Sequence, residues 1–170
     1  MEQILIPHKR SKILLEDKKL VADLKKRLKC GVSVEDENQV VLDGDPFDEY
    51  TAKTVIQAFG RGFDLQKAYK LLQDEYFFKS IDLKQFFKTK DQIHRVEARI
   101  IGREGKTKEY IETVSGTDVS IFGNSVSIIG TLEQMKVAEA ALQVLLDGGT
   151  HKKAYRVMEG ARRRLRGALR

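Results

Sequence analysis

Two glycines three residues apart form the part of the sequence best suited to hold a ligand. The segment Gly102-Arg103-Glu104-Gly105 precedes a predicted helix that begins at Lys106. Glycine has no Cβ, so a phosphodiester can approach the main-chain amides at this turn. The unpaired N–H groups of the first helical turn point at the same place. This spacing therefore predicts a loop that clamps a backbone phosphate.

The charges around this loop mostly favour an anion. Positive side chains surround the two glycines, and they are Arg99, Arg103, Lys106 and Lys108. Glu104 is the exception, because an acidic side chain repels phosphate. We expect the basic residues to outweigh it.

The glycine pattern has two other interpretations. A pair of glycines can simply make a turn between helices, and the spacing alone is common. The stretch Gly105-Lys106-Thr107 also resembles the end of a nucleotide-binding P-loop. That motif requires a glycine five positions before the second one, where this sequence has Ile100, so nucleotide hydrolysis is not expected.

The elements that must position the loop recur in the chain. After the loop we predict a helix, two strands around a tight turn, a glycine and a long helix. An earlier segment repeats this order, from a helix at 18–28 to strands around 32–34 and 40–42. The repeat predicts an α+β protein with two βααββα units in tandem. Chance similarity between two short α/β segments is the alternative.

The end of the chain is strongly basic. The formal net charge is +6, and residues 151–170 hold eight basic residues and one acidic residue. Apolar residues recur there at helical spacing, at Ala154, Met158, Ala161, Leu165 and Ala168. We expect a helix packed on the preceding unit, with Arg162, Arg163, Arg164 and Arg170 among the side chains facing phosphate. A disordered basic tail is the alternative.

Several classes of function are disfavoured by what the sequence lacks. Cys30 is the single cysteine and fits a reducing compartment. Cysteine and histidine residues lack the spacing of a metal site, and no cofactor is expected. No apolar run approaches the ~20 residues of a membrane helix, and the long apolar core of a secretory signal is missing. We therefore expect a cytoplasmic protein without catalytic activity.

The loop in this setting resembles that of a type I KH domain. Three segments together resemble the Dim/Pno and Krr type of KH proteins, which assist assembly of the small ribosomal subunit. They are Gly60-Arg61-Gly62-Phe63, Gly102 to Lys108, and Ile128-Ile129-Gly130-Thr131. The archaeal members are short proteins with two KH domains, and the resemblance covers nearly the whole chain.

This resemblance implies a function and a set of contacts. It implies binding of single-stranded RNA near the 3′ end of the small-subunit RNA, beside a Nob-type endonuclease, with no preference for DNA. In KH domains the loop clamps about four nucleotides, whose bases lie in an apolar groove beside it. The implied RNA-binding residues are 99–106 and Lys108 around the loop, Val119 and Ile121 in the groove, and Arg162, Arg163 and Arg164 in the tail.

We accordingly divide the chain into four parts. They are a KH domain without the glycine loop (1–76), an aromatic-rich connector (77–90), a KH domain with the loop (91–150) and a basic C-terminal helix (151–170). In the first unit the aligned stretch is Leu15-Glu16-Asp17-Lys18, which has no glycine and two acids. The alternatives to an RNA-binding assembly factor are a protein-interaction scaffold and an exosome-type RNA-guiding subunit.

Overall fold

The computed structural model describes residues 1–168. Within it the chain forms two compact units, Met1–Asp74 and a second that begins at Glu75. Arg170, one of the arginines predicted to face phosphate, lies outside the described residues. No helix in the described part of the chain is long and apolar enough to cross a membrane.

The first unit contains three strands and four helices. Asp17 and Asp45 accept hydrogen bonds from backbone amides and so cap the second and third of these helices. A 3-10 turn at Tyr69–Leu72 closes the unit. In chain order the elements are β1 (Glu2–Leu5), α1 (His8–Glu16), α2 (Lys18–Leu28), β2 (Gly31–Glu35), β3 (Gln39–Asp43), α3 (Pro46–Gly60) and α4 (Leu65–Ala68).

The second unit repeats this order and adds a long C-terminal helix. Short 3-10 turns at Leu83–Gln85 and Arg103–Gly105 precede its first two helices. The elements are β4 (Phe77–Asp82), α5 (Lys90–Ile101), α6 (Lys106–Ser115), β5 (Asp118–Phe122), β6 (Ser125–Gly130), α7 (Leu132–Leu146) and α8 (His151–Ala168).

Both sheets are antiparallel and have the same strand order. The first sheet is ordered β1-β3-β2 and the second β4-β6-β5, so the last strand of each unit lies in the middle. In the second sheet Ser80 lies opposite Ser127, and Ser127 donates a hydrogen bond of 2.9 Å to the Ser80 hydroxyl. The predicted repetition of elements is therefore present in the described structure.

The segment 77–90 is not a connector. Its first six residues form β4, which pairs with β6 over its whole length, from Phe77 opposite Gly130 to Asp82 opposite Ser125. Its aromatic side chains divide between two environments. Phe87 packs against the core of the second unit, whereas Phe77 and Phe86 are exposed. The first unit accordingly ends at Asp74, close to the predicted 76, and the second begins at Glu75 rather than at 91.

The C-terminal helix is part of the second unit's core. Ala154 and Met158 are fully buried in the cluster that also contains Ile100, Ile111 and Leu142. Two further members of the predicted apolar stripe, Ala161 and Leu165, pack against this cluster. The predicted amphipathic helix is confirmed over the described residues, and a disordered tail is not what the structure has.

Candidate nucleic-acid interface

The backbone reverses direction sharply between α5 and α6. Gly102 ends α5 with φ 74° and ψ 176°, a conformation almost restricted to glycine. Glu104 and Gly105 then follow in the left-handed region, with φ 54° and 77°. The Gly105 amide donates to the Gly102 carbonyl over 3.2 Å, which closes the turn.

The helix that follows the turn begins without a side-chain cap. The neighbouring helices α5 and α7 begin with capping boxes, Thr89 with Gln92 and Thr131 with Gln134. In contrast α6 begins at Gly105, which has no side chain to accept from the first amides. The Lys106 amide donates to the Arg103 carbonyl, while the positive end of the helix dipole remains open to an anion. The local geometry thus suits a phosphate at Gly105.

The two glycines are needed for different reasons. A Cβ on Gly102 would lie 2.1 Å from the Thr107 Oγ1 and 2.6 Å from the Thr107 Cβ. Around Gly105, apart from its own residue, its chain neighbours and the adjacent helix backbone, no described atom lies within 4 Å of the position that a Cβ would take. Gly102 therefore lets the turn pack against α6, while Gly105 leaves open space in front of the helix.

The predicted basic residues are not equivalent in the structure. Arg103 is exposed, and the Lys106 ammonium lies 3.5 Å from the Glu104 carboxylate, so this pair partly offsets the acid in the loop. Arg99 instead donates to the backbone carbonyls of Leu145, over 3.3 Å, and Gly149. Arg99 thus ties α5 to the end of α7, and its assignment as a phosphate ligand is not supported.

Two predicted groove residues belong to the core. Ile100 is 0% exposed and Val119 is 1% exposed, so neither side chain can contact RNA without unfolding the unit. Ile101 is 37% exposed beside the loop, and Ile121 is partly buried. Of the four apolar residues, these two remain available to a base.

The helix before the loop, α5, carries a carboxyl group in an unfavourable position. The Glu97 Oε1 is buried and has no hydrogen-bond partner among the described residues. Burial raises the pKa of Glu97, and nearby His94 lowers it to a smaller extent. On α5 this residue lies one turn before Ile101, on the flank of the helix opposite Arg99.

The predicted tail arginines lie along the last turns of α8. Arg162 is half-buried, whereas Arg163 and Arg164 are exposed. Arg162 borders a cavity of about 280 Å³ whose other walls include Val114 of α6 and Leu165. Earlier in α8, Tyr155 donates a hydrogen bond to Thr107, which follows the loop. Seven residues of helix span about 10 Å, so the three arginines lie roughly that far from the loop along α8.

The first unit shows why its loop cannot act in the same way. The helices α1 and α2 are separated by Asp17 alone, and the Asp17 carboxylate accepts a 3.0 Å hydrogen bond from the Leu20 amide. An acidic side chain of the protein thus occupies the helix end that a phosphate would need. This agrees with the expectation that the first unit lacks a clamp.

Two residues at the loop were not singled out from the sequence. Thr107 is 5% exposed and packs directly against Gly102. Tyr155 donates a 3.1 Å hydrogen bond to the Thr107 hydroxyl. Thr107 entered the sequence analysis only within the P-loop and KH-family motifs, and no local pattern pairs it with a residue 48 positions away.

Known proteins resemble the chain both over the second unit and over nearly its full length. A family model described as a eukaryotic-type, type I KH domain, the second KH domain of PNO1, matches residues 77–163. A KH domain-containing protein of Methanocaldococcus jannaschii is 33% identical, over 99% of this chain and 77% of its own length. The pre-rRNA-processing protein PNO1 of Chaetomium thermophilum is 34% identical, but the match covers 59% of this chain and 40% of that protein.

Solved structures extend the similarity to both units. Dim2p from Pyrococcus horikoshii has a TM-score of 0.85 and 32% identity, covering 94% of this chain and 98% of that one. Another structure, described as an a/eIF2alpha–aDim2p–rRNA complex from the same organism, gives 0.86 and 31%, with coverages of 95% and 93%. The match to the family model begins at residue 77, where β4 begins and pairs with β6. The chain has an α+β structure with a KH-type fold and belongs to the PNO1 and Dim2 family of type I KH proteins.

Proposed function

We propose that the chain binds single-stranded ribosomal RNA through the loop 102–105 and acts as a non-catalytic factor in rRNA processing. One observation carries this proposal. The α6 helix begins at Gly105 without a side-chain cap, and the space in front of Gly105 is open. A phosphate placed there would lie at the positive end of the α6 dipole, with Arg103 and Lys106 beside it.

The relatives support this choice of ligand. Proteins of the family carry names that refer to pre-rRNA processing, and one similar structure is described as a complex with rRNA and a/eIF2alpha. The more specific target, RNA near the 3′ end of the small-subunit RNA, rests on the resemblance to the Dim/Pno and Krr type. A Nob-type endonuclease as partner and action in the cytoplasm are proposed on the same basis.

The first unit is proposed to be a second KH domain that lacks the clamp. Its support is the shared element order and strand order, together with Asp17 at the helix end. Within the second unit, the proposed RNA contacts are the loop 102–105, Lys106, Lys108, Ile101, Ile121 and the arginines at 162–164. Bases would stack or pack on the apolar residues while the loop holds the backbone.

A charge substitution in the loop tests this proposal. Arg103→Asp combined with Glu104→Asp keeps both glycines and changes the net charge by two units. We expect it to abolish binding to a short RNA ending in the 3′ sequence of small-subunit RNA, because two acids would face the phosphate at close range. The free energy of unfolding should change by under ~0.5 kcal/mol, since both side chains are exposed.

The first unit supplies a charge-matched control. Lys18→Asp also changes the charge by two units, and it lies at the aligned position beside Asp17 in the first unit. The control should bind nearly as tightly as wild type. Equal RNA affinity of the wild type and the loop variant would exclude the clamp. Equal losses of affinity in the loop variant and the control would mean that only the overall charge matters.

A further inference from the structure

The C-terminal helix lies directly behind the phosphate-binding loop. His151, in the first turn of α8, makes a 2.8 Å hydrogen bond through Nε2 to the Arg99 carbonyl, near the end of α5. One turn later, Tyr155 bonds to Thr107 in the first turn of α6. The helix thus contacts the last turn before the loop and the first turn after it.

A continuous set of contacts joins α8 to the loop backbone. Tyr155 donates to the Thr107 hydroxyl, and Thr107 is packed so closely against Gly102 that a single methyl there would overlap it. Gly102 in turn accepts from the Gly105 amide. A shift of Thr107 would therefore move Gly102, and with it the amide that closes the turn.

A second tyrosine lies beside the first without reaching the loop. The rings of Tyr110 and Tyr155 are 4.6 Å apart, edge to face. The Tyr110 hydroxyl donates to the Glu159 carboxylate, which raises the pKa of Tyr110. Both tyrosines thus join α6 to α8 by one hydroxyl, but only the Tyr155 bond ends on a residue that touches Gly102.

We infer that Tyr155 is a positioning residue for the RNA clamp, acting through Thr107 on Gly102. This inference rests on the proposed RNA-binding function. It assigns α8 a use beyond its arginines, because the helix fixes the loop geometry from behind. Such support matters, since a binding site displaced by about 1 Å loses much of its affinity.

Removal of each tyrosine hydroxyl tests the inference on the full chain. Tyr155→Phe should weaken binding of the single-stranded RNA by roughly twofold to fivefold, because the lost neutral hydrogen bond helps to hold the loop and only part of its contribution appears in the affinity. It should also speed amide exchange at Gly102 and Gly105 without RNA present. Tyr110→Phe, the matched control, should leave affinity and exchange at both glycines as in wild type, with a similar change in melting temperature.

A double substitution separates positioning from general packing. Thr107→Val removes the acceptor, so adding Tyr155→Phe to it should cause little further loss of affinity. Wild-type affinity for Tyr155→Phe, or an equal loss for Tyr110→Phe, would overturn the inference. If the wild type bound no RNA, the proposed function would fail, while the exchange rates at Gly102 and Gly105 would still decide whether Tyr155 fixes the loop.

Discussion

Substituting the two glycines of the loop by alanine should affect stability and binding to different extents. In Gly102→Ala the new methyl would lie 2.1 Å from the Thr107 Oγ1, which Tyr155 holds in place. Overpacking of this kind costs about 1–3 kcal/mol. The backbone conformation, φ 74° and ψ 176°, costs about 1–3 kcal/mol more for a residue with a side chain.

Gly105→Ala meets only the backbone part of this cost. Apart from the residue itself and the backbone next to it, no described atom lies within 4 Å of the added methyl. The angles φ 77° and ψ 7° are the ordinary left-handed conformation. Alanine there costs about 1 kcal/mol. The methyl would, however, project into the space proposed for phosphate, so RNA affinity should fall well beyond what the small loss of stability explains.

Thermal unfolding and RNA titration distinguish the two variants. For a unit of about 100 residues, 1 kcal/mol lowers Tm by about 4–8 °C. Gly102→Ala should therefore lower Tm of the second unit by about 8 °C or more, and Gly105→Ala by about 4–8 °C. Equal shifts of Tm, or unchanged RNA affinity in Gly105→Ala, would refute the separate functions given to the two glycines.

Two further predictions concern charges in the second unit. Alanine at all three of Arg162, Arg163 and Arg164 should flatten the slope of log affinity against log salt by about 0.7 for each arginine that contacts phosphate, and an unchanged slope would place them outside the interface. Substitution is the better test than truncation, because Ala154 and Met158 of the same helix are fully buried. Glu97→Gln should raise the free energy of unfolding at neutral pH by under about 1 kcal/mol, and so raise Tm. The reason is that the raised pKa of Glu97 means that its ionised form destabilises the fold. The stability of the wild type should accordingly rise as pH falls through that pKa, and the extra stability of the variant should vanish in acid. Extra stability that did not depend on pH would contradict this explanation.

Element boundaries were predictable where local signals are strong. The prediction of α2 at 18–28 matches the structure, and the predicted long helix after the glycine is present as α7. A capping box of Thr131 with Gln134 starts α7, and Gly148, with φ 82°, follows its last turn. These features depend on neighbours in sequence, which is why they could be predicted.

The first strand and first helix of the second unit were missed. In β4 most side chains are exposed, so the alternation that identifies a half-buried strand is weak, and pairing with the distant β6 defines it. The start of α5 does carry a local signal, the capping box of Thr89 with Gln92. The supports behind the loop, Thr107 and Tyr155, required the tertiary structure because they are far apart in sequence.

Site residues were predicted better by type than by environment. The loop and its uncapped helix follow from the glycine spacing, but Arg99, Ile100 and Val119 face protein rather than solvent. An arginine near a loop and an isoleucine beside it have the same sequence pattern whether they contact RNA or neighbouring helices. Only packing distinguishes the two cases.

Chemical-shift mapping of the full chain, with the single-stranded RNA added stepwise, tests the central claim most directly. The account predicts that the largest changes of amide shift fall at 102–108, with smaller changes near Ile121 and little change at Asp17 and Lys18 in the first unit. Changes centred on the first unit, or spread evenly over basic surface residues, would contradict binding through the loop.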